Sequence, residues 1–426
     1  MTSSLRRILV VTTDPPPTSS GLGTFWAKLC IGAVGGGLAI DFLGPEPSLC
    51  SPHGPSGLPI RSGLRCLGKP PLSRATSVGR SRSSGLRRLA WSMARAPYAL
   101  LERSTRRDFY LEWLCTRVRR TLSRILQEEE YDAVAVLPPP LELADAVQHA
   151  AMECGVPFIH AVGDPLGERR GDGTFEPRQA ELQANLIQNA VALLISKPTF
   201  DRYYATAFEP NPAKIVFLGD IFIPLGDVDE RKAAIPVSED ALLHWGQLSS
   251  WRPADELVDA ICAYNQSATV VGGGRPLSLT VMGKIVDAGM RARSMAKLGP
   301  LFEERPLMPY LDARAVAATA RRFVVIVSPR HRDNIPSKLI DALAFGRPIL
   351  MLAHPDSAAA ETVRQLGVGV VADVRSVEDI LKGLSELDSR RQEIEAAYQG
   401  NVALEAWSCH RVGTQFRDEL RQVMGW

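Results

Sequence analysis

The sequence predicts an α/β protein built from two doubly wound parallel sheets, and three observations carry this. The chain has 426 residues, more than one hydrophobic core usually serves, so two domains of about 200 residues each are expected. Short apolar runs alternate with helical patterns, the order that lays strands in parallel with helices on both faces. A polar, acidic stretch with Pro224, Gly226 and Pro236 interrupts that rhythm once, near residues 222–238.

The first strand is Arg7-Ile-Leu-Val-Val-Thr-Thr, followed by the loop Asp14-Pro-Pro-Pro-Thr-Ser-Ser-Gly-Leu-Gly-Thr and a helix from about Phe25. Further strands are expected at Ala39–Leu43, Ala133–Leu137, Pro157–His160, Ala192–Ser196 and Ile215–Leu218. After the interruption come Leu242–Trp245, Leu277–Met282, Phe323–Val327, Pro348–Leu352 and Val368–Val371. The tail from Glu393 to Trp426 reads as helical throughout. The economical reading is two Rossmann-like halves, with ligand outside the C-terminal ends of the strands.

Composition removes several classes of function. A hydrophobic content of 45% with 23% charged residues fits a globular enzyme. A net charge of +2 gives no global case for nucleic acid. No stretch reaches the roughly 20 apolar residues of a membrane span. Leu29–Leu43 is apolar but holds Gly35-Gly36-Gly37 and Asp41, which suits a helix, turn and strand. Ile8–Val11 is too short for a signal-peptide core and runs into Asp14-Pro15. The seven cysteines are odd in number and lack C-x-x-C spacing, which indicates a reducing cytoplasm and no structural zinc. Neither H-E-x-x-H nor G-x-S-x-G occurs, and no tightly bound metal is expected.

The densest chemistry lies at Asp333-Asn-Ile-Pro-Ser-Lys-Leu-Ile-Asp-Ala-Leu-Ala-Phe-Gly-Arg-Pro, between two expected parallel strands. Pro336 suits the first helical position and Gly346 the left-handed position past the helix end. The free N–H groups of Ser337, Lys338 and Leu339 would face an anion at the helix N-terminus, with the Lys338 charge beside them. Asp341, one turn on, would accept hydrogen bonds from vicinal hydroxyls. Phosphate at the tip and ribose beside the first turn describe a nucleotide diphosphate.

This run resembles the donor-binding signature of family 4 glycosyltransferases, which have the GT-B fold of two Rossmann-like domains and a C-terminal helix crossing back. The family carries two Glu residues separated by seven others; here Asp333 and Asp341 hold that spacing. The resemblance implies that Asp341 grips the ribose and that Asp333 lies near the transferred sugar. A solvated carboxylate capping the helix is the alternative for each. Ile335, Pro336, Ser337, Lys338 and Leu339 would line the donor diphosphate. Leu243-His-Trp-Gly-Gln-Leu-Ser-Ser-Trp-Arg-Pro resembles the family's Gly-Arg-Leu with a Lys five residues after the Arg. Gly246 matches, Gln247 takes the Arg position and Arg252 the Lys position. Arg252 can hold phosphate bidentately, whereas Gln247 supplies no charge. Arg330, His331 or Arg332 is a candidate to replace it.

In the first half, Gly21 and Gly23 correspond by position to a family glycine-rich loop that allows close approach to the donor. Phe25 and Trp26 read as packing residues. Val156-Pro-Phe-Ile-His160-Ala-Val-Gly-Asp164-Pro165 resembles an Asp-x-x-Asp-Pro element found in part of the family, with Ala161 at the first Asp. Asp164 is a candidate for ordering sugar or acceptor hydroxyls. His160 is either a site residue or a satisfied core histidine.

The resemblance implies a retaining transferase that moves a sugar from a nucleotide diphosphate-sugar to a hydroxyl acceptor: a glycan, a lipid-linked glycan or a metabolite. Asp333, Arg252, Lys338 and Asp164 are the catalytic candidates, and no metal or tightly held cofactor is implied. The domains expected are 1–222, 223–399 and a returning helix at 400–426. Family likeness is absent over 45–125, which holds a basic segment at 61–125, strongly basic over 61–107 and interleaved with apolar residues such as Leu89, Trp91 and Tyr98. It is either a surface insertion or a peripheral contact with anionic membrane on the cytoplasmic face. The shortened carboxylates and Gln247 leave a catalytically weakened partner subunit open, and the fold also hosts sugar-nucleotide epimerases and phosphorylases.

Overall fold

The computed structural model describes residues 6–16, 21–34, 37–45, 64–67, 108–138, 140–163, 165–168, 174–227, 235–250, 252–271, 275–328, 332 and 335–426. The chain divides into two compact units, Met1–Gly219 with Val412–Trp426, and Asp220–Arg411.

The first unit holds a seven-stranded parallel sheet. Its strands are β1 (Arg6–Val11), β2 (Leu38–Gly44), β3 (Leu64–Cys66), β4 (Ala133–Val136), β5 (Phe158–Val162), β6 (Ala192–Ile195) and β7 (Ile215–Phe217), in the order β3-β2-β1-β4-β5-β6-β7. Unbroken apolar runs such as Ala-Val-Ala-Val in β4 and Ala-Leu-Leu-Ile in β6 are fully buried, as parallel strands covered on both faces require. Asp108 caps the Phe109–Glu128 helix, its carboxylate accepting from the Leu111 N–H at 3.0 Å. Trp26, wholly buried on the Gly21–Ala33 helix, meets Phe42 edge to face at 5.9 Å. Strand order reverses between β1 and β4, which places a topological switch point at their C-terminal ends.

The second unit repeats the plan with six parallel strands: β8 (Ala241–Trp245), β9 (Ser278–Met282), β10 (Phe302–Arg305), β11 (Phe323–Ile326), β12 (Ile349–Ala353) and β13 (Gly369–Asp373). Their order is β10-β9-β8-β11-β12-β13, so the switch point lies between β8 and β11. Two apolar layers, one centred on Phe323, Leu339 and Met351 and the other on Leu242, Val324 and Leu350, fill opposite faces of this sheet.

The structure departs from the sequence expectations at the two sheet edges and in the tail. Strands β3 and β10 were not expected; both are edge strands, and Leu-Arg-Cys and Phe-Glu-Glu-Arg lack the apolar runs of fully covered strands. The tail is not continuously helical. It breaks into Arg391–Ala397, Val402–Glu405 and Cys409–Met424, because Gly400 takes a left-handed conformation (φ 68°) and Asn401 caps the next helix. The basic segment 61–107 lies outside the described residues except at 64–67, where Arg65 donates to Glu129 at 2.6 Å and belongs to an ion-pair group with Arg7 and Asp41. Among the described residues no helix is long and apolar enough to cross a membrane.

The last helix is held in the first unit by a close backbone crossing. A Cβ on Gly413 would lie 2.5 Å from Ala33 N and from Gly32 C, so only glycine fits. The Arg6 guanidinium sits 5.6 Å from the centre of the Trp426 ring, adding a cation–π contact. Gly413→Ala is therefore expected to destabilise the protein by about 2 kcal/mol or more through overpacking against backbone. Gly219→Ala, where an added Cβ meets nothing within 4 Å, is the control and should fall within about 0.5 kcal/mol of wild type. Urea denaturation of both variants checks this.

His160, on β5, is wholly buried. Its Nε2–H donates to Gln183 Oε1 at 2.9 Å, and Gln183 Nε2 donates to the Tyr204 hydroxyl at 2.6 Å. The ring lies in the core of the first unit, and its Nδ1 makes no hydrogen bond. Burial, only partly offset by the Gln183 hydrogen bond, pulls its pKa from 6.5 down to about 4. The unfolded chain then binds the extra proton first as pH falls, so stability present above pH 6.5 is lost between pH 6.5 and 4. The expected loss is on the order of 3 kcal/mol at 1.36 kcal/mol per pKa unit. Urea midpoints measured across that range should fall less steeply in His160→Asn; an equal fall in both proteins would assign the pH dependence elsewhere.

Candidate functional site

In the second unit, the residues that follow β8, β9 and β11 meet at the switch point. After β8 the chain turns through Gly246, whose N–H donates to Met282 O at 2.9 Å and whose φ is 150°. After β9 comes Gly283, and a Cβ there would lie 1.9 Å from the Gly246 carbonyl oxygen. The two backbones are in contact because Gly283 has no side chain. Leu248 N–H then donates to Lys284 O at 3.0 Å, and Val286 N–H to Leu248 O at 2.9 Å, zipping the two loops together. A tight turn closed by Arg252 N–H on Ser249 O, 2.8 Å, brings Arg252 back beside the strand end.

The helix after β11 runs Ser337–Leu343, with Pro336 at its N-cap instead of its first position. Lys338 lies half-buried on it, and its stem covers Gly246: a Cβ on that glycine would approach Lys338 Cδ and Cε at 2.8 Å. Leu339 is not a free donor as expected, because its N–H donates to Pro336 O at 2.9 Å and its side chain is wholly buried. Ser337 and Ile335 are half-buried, and Gly346 ends the segment in the left-handed conformation (φ 62°). Gln247 is exposed beyond the strand end. His244, Trp245, Arg252, Pro336 and Lys338 border a recess beneath this helix.

Asp341 is 6% exposed and accepts the Tyr310 hydroxyl at 2.8 Å. Tyr310 stacks at a tilt on Trp245, ring centres 5.8 Å apart. Burial, then the nearby Asp341 charge, raise the Tyr310 pKa well above its ordinary value, so it stays a hydrogen-bond donor. Arg314, wholly buried, donates from Nη2 to Pro224 O at 3.0 Å and lies 5.3 Å from the Phe345 ring centre. The sequence reading did not include Tyr310, Arg314 or His244. Tyr310 and Arg314 lie on a helix without a motif, and His244 sits within an apolar strand, where histidine is more often structural.

Among the other expected residues, Gly21 and Gly23 form the first turn of the Gly21–Ala33 helix, which starts earlier than expected. Asp164, His331 and Asp333 lie outside the described residues. The expectation of no metal passed over Asp227-Val228-Asp229, an Asp-x-Asp by spacing. Asp227 accepts from His410 Nε2 at 2.7 Å, and with Cys409 these three residues place possible ligand atoms within 4.8 Å of one another. Val228 and Asp229 lie outside the described residues.

No family model matches the chain, and no curated protein matches its sequence. Solved structures do match along nearly the whole length. A glycosyltransferase from Rickettsia africae superposes with a TM-score of 0.59 at 10% identity, covering 98% of both chains. HepE from Anabaena in complex with UDP gives 0.59 at 12% identity, covering 97% of this chain and 99% of its own. A putative UDP-N-acetylglucosamine 2-epimerase from Listeria monocytogenes gives 0.60 at 11% identity, covering 98% of this chain and 96% of its own. At such identities the likeness is one of fold: this chain has two Rossmann-like parallel-sheet domains of the GT-B class.

Proposed function

We propose that this protein is a glycosyltransferase that takes a sugar from a nucleotide diphosphate-sugar and passes it to a hydroxyl acceptor. The observation that carries the reading is the placing of Arg252 and Lys338 on one recess beside the Gly246 turn, at the β8–β11 switch point. Two cations bordering one recess give a diphosphate charge to bind. A carboxylate one turn along the same helix suits a ribose. The fold neighbours include HepE bound to UDP, which supports a nucleotide ligand.

In this reading Arg252 and Lys338 stabilise the negative charge that grows on the departing diphosphate. The departing phosphate oxygen takes the acceptor proton, so no separate side-chain base is needed, and the donor sugar keeps its anomeric configuration. The two cations neutralise charge that a metal ion would otherwise carry. Asp333 and Asp164 complete the proposed catalytic set. The likeness to an epimerase favours a second reading, in which a UDP-sugar is converted without an acceptor.

A thermal-shift panel of UDP, GDP, ADP, dTDP and their sugar conjugates, with and without Mg²⁺, tests the proposal. One nucleotide class should stabilise the wild type, and the shift should shrink in Lys338→Ala. Asp341→Asn, close in size to the native residue, should weaken nucleotide binding by about 1–3 kcal/mol through loss of charged hydrogen bonds. Unchanged affinity in the folded variant would move the ribose elsewhere. Release of free UDP and an altered sugar without acceptor would select the epimerase. Absence of any shift would remove the nucleotide site.

A further inference from the structure

His244 is the one residue of β8 whose side chain presents unused chemistry to the candidate site. It is 4% exposed. Its Nδ1 donates to the Val324 carbonyl of β11 at 3.2 Å, which fixes the tautomer and leaves Nε2 with a bare lone pair. Nε2 is buried and has no hydrogen-bond partner. It faces the glycine: a Cβ built on Gly246 would stand 3.7 Å from it, on the side covered by the Lys338 stem. A neutral lone pair among two cations makes no hydrogen bond in the free protein, and the Gln247 backbone is the polar group next to the ring besides Val324.

We infer that His244 is a phosphate-contacting residue of the donor site, taking up a proton as the diphosphate binds and donating Nε2–H to one of its oxygens. The inference rests on the donor-site reading above and adds to it a third, inducible cation. Among the described residues, the charged groups acting on the ring in the free protein are Arg252, from the turn after β8, and Lys338, from the helix after β11; both are cationic. The Val324 carbonyl and the Gln247 backbone are the polar groups beside it. Burial, reinforced by those two cations, lowers its pKa from 6.5 to about 4, so it is neutral at pH 7. A diphosphate offsets both cations and offers the ring a charged acceptor, and each effect favours the charged ring. The side chain thereby makes up part of the charge that Gln247 does not provide.

The sign of the linkage follows. Because the bound state holds the proton more tightly than the free state, affinity rises as pH falls through the bound-state pKa and levels off near pH 4. Nucleotide diphosphate-sugars suit the test, because their diester phosphates do not titrate between pH 5.5 and 7.5. UDP-glucose, ADP-glucose and GDP-mannose would be titrated calorimetrically in buffers of different ionisation enthalpy. The expected result is uptake approaching about one proton per bound molecule at the acid end. The association constant should rise by up to about tenfold per pH unit. His244→Gln should bind more weakly than wild type at pH 5.5, converge with it as pH rises, and take up no proton. Binding by wild type without proton uptake overturns the inference and needs no variant. Uptake that persists in His244→Gln overturns it as well. If none of the three donors binds, the donor-site reading itself falls, and the inference with it.

Discussion

Gly246 and Gly283 touch through their backbones, and the candidate site is arranged around that contact. With a methyl group at residue 283 placed 1.9 Å from a carbonyl oxygen, the loops after β8 and β9 would be forced apart. Their separation would carry Arg252 and Leu248 away from the strand ends and lift the floor on which the Lys338 stem lies. The sheet order makes this the place where helices leave in opposite directions from β8 and β11, so the crevice exists before any side chain is added. Side-chain chemistry is then grafted onto an opening that topology provides.

Beneath that opening lies a polar cluster whose members restrain one another. The carboxylate of Asp341 accepts from Tyr310, and the wholly buried guanidinium of Arg314 donates to Pro224. Burying an arginine costs several kcal/mol unless partners surround it, and the Phe345 ring, 5.3 Å from the guanidinium, provides a polarisable wall. Asp341 therefore serves the packing of its own domain as well as any ligand.

Much of this was legible in the sequence. The central strands are continuous apolar runs because both faces are covered, and that burial makes them visible. The edge strands β3 and β10 are half-solvated, carry charges and leave no such trace. The proline–helix–glycine segment at 336–346 could be read from residue types that have few other uses. His160 shows the opposite limit: its role depends on Gln183 and Tyr204, which lie 23 and 44 positions away and are brought beside it only by folding. Tyr310, Arg314 and His244 escaped for the same reason, because a buried polar residue announces itself only through partners that are distant in sequence. Leu339 was misread because a short turn spends its amide internally.

The crossing of Gly413 over Gly32 and Ala33 has a kinetic side. The chain leaves the first unit at Gly219, completes the second between Asp220 and Arg411, and only then supplies the helix that finishes the first. Emerging at about 5–20 residues per second, the ribosome-bound chain holds the first sheet without its last covering helix for roughly ten seconds or more. Closing a contact of such sequence separation is intrinsically slow. The second unit, continuous in sequence, has no such wait, so the order of maturation runs opposite to the order of synthesis.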